Sequence, residues 1–127
     1  MEQKKILVAD DEQEICDLLE QTLSQEGYSV TCVNDGQTAF DRLKQEFYDL
    51  ALLDVCMPHI DGYHLSYKIT TQLSGPVPKI ILLTSRDAKQ DNDIGTKSGA
   101  DMQLSKPFDA SDLINKVKQL IGSAESL

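Results

Sequence analysis

Three runs of consecutive apolar residues, at positions 6–9, 50–53 and 80–83, each end directly on an oxygen-bearing side chain: Asp10, Asp54 and Thr84. A strand that is apolar at every position has no wet face and must be covered on both sides, the condition met by a parallel sheet between two layers of helices. The segments between the runs supply those layers. Residues 11–26 carry Ile15, Leu18, Leu19 and Leu23 at helical spacing, with Gly27 as a stop. Residues 28–33 read as a second strand, and Asp35 is placed to cap a helix whose inner face is Ala39, Phe40 and Leu43. A loop at 57–62 leads to a third helix that ends near Leu73, with Leu65 and Ile69 inward, and Gly75, Pro76 and Pro78 separate it from the fourth strand.

The segment 86–98 is the weakest helix, because Ile94 is its only large apolar residue among Asn92, Gly95 and Thr96. A short or mobile element is expected there. Residues 101–105 form the fifth strand, and 111–121 the last helix, with Leu113, Val117, Leu120 and Ile121 as its buried stripe. Five such units predict an α/β fold: a doubly wound five-stranded parallel sheet with five helices and right-handed crossovers. At 127 residues, 40% of them hydrophobic, the chain fits a single domain with a real core.

Composition narrows the function. No apolar run approaches the roughly 18 residues that would cross a bilayer, and the polar start of the chain argues against export. Cys16, Cys32 and Cys56 are odd in number and widely spaced, so reduced thiols and a cytoplasmic location are expected. Twelve basic against 21 acidic side chains give a charge of −9, which repels phosphate backbones and argues against direct nucleic-acid binding.

Ligands of open α/β sheets sit beyond the carboxyl ends of the strands. Asp10 and Asp11 follow the first strand, Asp54 closes the third, Thr84 and Ser85 the fourth, and Lys106 the fifth. Taken singly, each has a plainer role: Asp10 and Asp11 as helix caps, Asp54 as a turn cap, Thr84 as a strand-end residue, Lys106 as a surface charge. Their convergence on one sheet edge points to chemistry. Three neighbouring carboxylates call for a cation, and an all-oxygen set with room for water suits Mg²⁺, or Mn²⁺, better than Ca²⁺. His59 and His64 lack zinc spacing and read as exposed. With such a cation, one carboxylate can attack phosphorus and form an aspartyl phosphate, with Lys106 and the Thr84 hydroxyl on the phosphoryl oxygens.

Val8 to Glu12, Leu53 to Pro58 with Asp61 and Gly62, Leu82 to Ser85, and Gly99 and Ala100 followed by Lys106, Pro107 and Phe108 stand in the order and spacing of a known family. The chain resembles the response-regulator receiver domains of two-component signalling over about residues 4–122. The resemblance implies a flavodoxin-like sheet of order 2-1-3-4-5. It implies Asp54 as phosphoacceptor, charged by the phosphohistidine of a sensor histidine kinase or phosphotransfer protein. Asp11, Asp54 and the backbone carbonyl of Cys56 would then ligate Mg²⁺, with Asp10 acting through water. It also implies that Thr84 and Lys106 bind the phosphoryl group, that the bond from Lys106 to Pro107 is cis, and that a shifted surface engages a downstream protein. Such a domain is not an enzyme with a separate substrate, although it assists its own phosphorylation and dephosphorylation.

Several positions depart from the family pattern. Gln103 stands where a switch aromatic is usual, Met102 replaces an acid used for dimerisation in many relatives, and Thr96 and Ser98 make the fourth-helix region polar. A docking scaffold without phosphorylation-dependent switching is therefore the alternative. A dehalogenase-type phosphatase would need an acid at position 56, which is Cys56, and a flavin carrier would find Asp10, Asp11 and Glu12 where its phosphate must bind.

Overall fold

The computed structural model describes residues 3–84 and 98–123. Its strands are β1 (Lys5–Ala9), β2 (Ser29–Val33), β3 (Leu50–Asp54), β4 (Lys79–Thr84) and β5 (Met102–Ser105). Its helices are α1 (Gln13–Gln25), α2 (Gly36–Gln45), α3 (Gly62–Gln72) and α4 (Ala110–Ile121). All strand pairs are parallel, in the order β2-β1-β3-β4-β5. The doubly wound sheet and its strand order are as expected. Four helices stand among the described residues; the fifth, expected at 86–98, lies outside them except for Ser98, as does Ser85.

The unbroken apolar runs do sit at the centre: every residue of β3, and every residue of β4 after Lys79, is buried. Side-chain alternation divides them between two cores. Leu7, Ala51, Leu53, Ile80 and Leu82 face α2 and α3 with Phe40, Leu43, Leu65 and Ile69. Ile6, Val8, Leu50, Leu52, Ile81 and Leu83 face α1 and α4 with Leu19, Leu23, Leu113 and Val117.

The stripe on α1 corrects the sequence reading. Cys16, Leu19 and Leu23 are buried, whereas Leu18 is 48% exposed. Steps of three and four residues keep Cys16, Leu19 and Leu23 on one face, and Leu18 lies about 100° away from Leu19. On α4, Leu113 and Val117 are buried, while Leu120 and Ile121 are only half-buried at the last turn.

Local chemistry fixes the helix starts. Asp35 accepts a hydrogen bond from Thr38 N at 2.8 Å, and Asp61 accepts one from His64 N at 2.8 Å, so both cap as Asp should. Gly27, at φ 96°, takes the left-handed turn that ends α1.

Candidate phosphoryl-transfer site

The carboxyl ends of β1, β3, β4 and the segment after β5 are brought together by the ladder itself. Asp54 pairs with Leu83 and Thr84 with Ser105 in the parallel registers. Past the last pairs, Val55 N donates to Leu83 O at 3.0 Å and Lys106 N to Thr84 O at 2.7 Å, which carries the ladder into the loops that bear the polar groups. Asp10 N donates to Val33 O at 3.1 Å on the other side. The peptide bond between Lys106 and Pro107 is cis.

Asp10 and Asp54 are buried, at 0% and 3% exposure, and Lys106 reaches both: its Nζ is 3.0 Å from Asp10 Oδ2 and 3.3 Å from Asp54 Oδ1. Glu12 Oε1 stands 3.9 Å away on the solvent side. One carboxylate oxygen from each of Asp10, Asp11, Glu12 and Asp54 lies within 4.8 Å of the others. Among the described residues, four acids around one ammonium leave negative charge uncompensated, and an oxygen donor set of this size fits a hard divalent cation. Asp10 is also committed to Glu12 N, which donates to its Oδ1 at 2.9 Å, so this carboxylate orients the loop as well as the lysine.

Burial raises the Asp54 carboxyl from its ordinary range to about 6, and the Asp10 charge pushes the same way. The Cys56 N–H, donating at 3.2 Å, and Lys106 oppose the shift without cancelling it. Burial disfavours the Lys106 ammonium, but the Asp10 hydrogen bond and the Asp54 charge outweigh it and hold it above its ordinary range. Cys56 is exposed and its thiol is raised, by burial of the sulfur and by Asp54, which is the opposite of an activated cysteine.

A cavity of about 450 Å³ opens over these groups, lined by Glu12, Ile15, Asp54, Cys56, Thr84, Lys106 and Pro107. Thr84 is 1% exposed, and its hydroxyl has no hydrogen-bond partner among the described residues. Polar groups buried in this way normally have a partner, so the hydroxyl is ready for an acceptor placed in the cavity. Asp10, Asp11, Asp54, Cys56, Thr84 and Lys106 therefore stand in one place, while Ser85 lies outside the described residues. Glu12 is the addition: it was legible as the third acid of a run, but only the turn before α1 brings it back towards Lys106. Ile15, read from the sequence only as part of a helical stripe, and Pro107, read only as the residue after the lysine, form the apolar rim.

The family model for the response regulator receiver domain matches residues 6–118. The chain belongs to the response-regulator receiver domains. It is a receiver of two-component signal transduction, and known receiver structures agree with it over nearly their whole length. The receiver domain of a sensor histidine kinase from Pseudomonas aeruginosa PAO1 is 31% identical, with a TM-score of 0.85, covering 96% of this chain and 100% of that one. That structure has a magnesium ion coordinated in its active-site cleft. The receiver domain of a signal transduction histidine kinase from Syntrophus aciditrophicus is 30% identical, at TM-score 0.86, covering 98% and 96%. The chemotaxis response regulator CheY4 of Vibrio cholerae is 26% identical, at 0.87, covering 94% and 99%. No helix among the described residues is long and apolar enough to cross a membrane.

Proposed function

We propose that Asp54 is the phosphoacceptor of this receiver and that the chain acts as a single switch domain. The observation that carries the reading is a buried carboxylate that still faces a cavity, with Lys106 at 3.3 Å and, on the same rim, the Thr84 hydroxyl, which has no partner among the described residues. An Asp54 oxygen attacks the phosphorus of a phosphohistidine. The phosphorus–nitrogen bond breaks, and its electron pair returns to the imidazole of a sensor histidine kinase or phosphotransfer protein. Lys106 and the Thr84 hydroxyl take two of the phosphoryl oxygens, while Asp10 keeps the lysine aimed at Asp54.

Asp11 and Asp54, with the backbone carbonyl of Cys56, would hold Mg²⁺ (or Mn²⁺), with Asp10 through water and Glu12 at the edge. The bound cation would neutralise charge on the transferred group. The acid cluster and the magnesium in the Pseudomonas receiver support this assignment. The output is a protein surface that engages a downstream partner in the cytoplasm.

Intact mass after incubation with Mg²⁺ and acetyl phosphate tests the reading. One metal-dependent phosphoryl adduct that disappears in Asp54→Ala is expected. No adduct on folded, metal-loaded protein would favour the scaffold alternative instead.

A further inference from the structure

We propose that Asn34 is a positioning residue for the site: its side-chain amide holds the plane of the peptide that joins Asp10 to Asp11, and with it the two carboxylates that would face the cation. Ala9 is the last residue of β1 to pair with both neighbours, Val33 on β2 and Leu53 on β3. Past that point Asp10 N still donates to Val33 O at 3.1 Å, but no backbone N–H among the described residues donates to the Asp10 carbonyl. The residue is nevertheless fully buried. A buried carbonyl left without a donor is costly, so a donor must come from elsewhere.

Two side chains supply it. Asn34, the residue after β2, donates from Nδ2 to Asp10 O at 3.1 Å, and the Cys16 thiol of α1 donates to the same oxygen at 3.3 Å. An S–H is a weak donor, which leaves the amide as the principal one. Asn34 Nδ2 also stands 3.4 Å from Gln13 Oε1 and 3.6 Å from Cys16 Sγ, so the Asp10 carbonyl is the shortest of these three contacts.

A peptide group is planar, so the direction of the Asp10 carbonyl fixes how the chain continues to Asp11. The Asp10 carboxylate in turn accepts Lys106 Nζ at 3.0 Å and Glu12 N at 2.9 Å. Asp10, Asp11, Glu12 and Asp54 each bring one oxygen to within 4.8 Å of the others. Like charges at that separation repel, and a peptide free to turn would let Asp10 and Asp11 part. The amide keeps them close enough to share one cation. This role rests on the cation assignment within the phosphoacceptor reading, whereas the contact itself does not. Asn34 is exposed, so Asn34→Ala removes the donor and leaves the core intact.

The carbonyl carbon shift of Asp10, measured on metal-free protein, decides the contact. It is expected to move upfield in Asn34→Ala, as for a carbonyl that loses a donor, and to stay at its wild-type value in Asp35→Ala, which removes only the neighbouring cap. An unmoved Asp10 signal in Asn34→Ala overturns the inference. Calorimetric titration with Mg²⁺ decides the role. Asn34→Ala is expected to bind about fivefold more weakly, the worth of one neutral hydrogen bond, while Asp35→Ala and Gln13→Ala bind as wild type does. Wild-type affinity in Asn34→Ala overturns the inference. An equal loss in Gln13→Ala or Asp35→Ala does so too, by tracing the effect to the Gln13 contact or to general loosening of the loop. If wild-type protein binds Mg²⁺ but takes no phosphoryl adduct from acetyl phosphate, the phosphoacceptor reading fails and the titration still decides the role of Asn34. Wild-type protein that binds no Mg²⁺ overturns that role outright.

Discussion

Removing the charge of Asp54 should stabilise the metal-free protein. The carboxyl is 3% exposed and its pKa stands near 6, against 3.8 for a free aspartate. The folded state therefore holds this proton more tightly than the unfolded chain. Its contribution to stability is greatest below the unfolded value and is lost as pH rises from about 4 through 6. A difference of about 2 in pKa corresponds to roughly 3 kcal/mol of strain from the ionised group above pH 6. Asp54→Asn keeps the shape and an acceptor for the Cys56 N–H but cannot ionise. The attraction of Lys106 is already contained in the shifted pKa, and allowing about 1 kcal/mol for the imperfect match of an amide to the carboxyl's contacts sets the net gain at about 2 kcal/mol.

Urea unfolding in EDTA measures it. At pH 7.5 the Asp54→Asn variant should be about 2 kcal/mol more stable than wild type, and near pH 4 the two curves should converge. Saturating Mg²⁺ should close the gap at pH 7.5 by stabilising wild type alone, by about 2.7 kcal/mol at 100 times the dissociation constant. A variant no more stable than wild type at pH 7.5 in EDTA would refute the reasoning, as would a gap that persists unchanged at pH 4.

Gly62→Ala should damage the site from behind, because a Cβ there would meet Asp54 O at 2.5 Å and Val55 Cα at 2.8 Å. A loss of about 2–3 kcal/mol and weakened Mg²⁺ binding are expected, read by urea unfolding and metal titration. Thr84→Val removes a buried hydroxyl with no partner among the described residues, so thermal stability without ligand should hold within about 1 kcal/mol of wild type, while binding of a beryllofluoride mimic should weaken severalfold. Asp35→Ala should cost about 1 kcal/mol through the lost cap to Thr38 and leave Mg²⁺ affinity unchanged. Leu19→Ala should cost about 2–5 kcal/mol and Leu18→Ala less than about 0.5, a contrast that denaturation curves can check directly.

The sheet was legible in the sequence because burial on both faces permits only apolar residues, and the runs at 6–9, 50–53 and 80–83 obey that rule without exception. The cap at Asp35 was legible because local hydrogen bonding needs only three or four residues of chain; Asp61, read as a loop residue, caps α3 by the same bond. Asp10, Asp11, Asp54, Thr84 and Lys106 were legible for a related reason: polar residues at or just past the carboxyl end of a parallel strand lie at the sheet edge. Tertiary structure alone decided the rest. Leu18 has the same chemistry as Leu19, and only the rotation of α1 against the sheet exposes one and buries the other. The return of Glu12 towards Lys106, the rim built by Ile15 and Pro107, and the reach of Asn34 to the Asp10 carbonyl join residues distant in sequence. Such contacts depend on strand register and helix packing, which arise from the whole core and leave no pattern in any single stretch of chain.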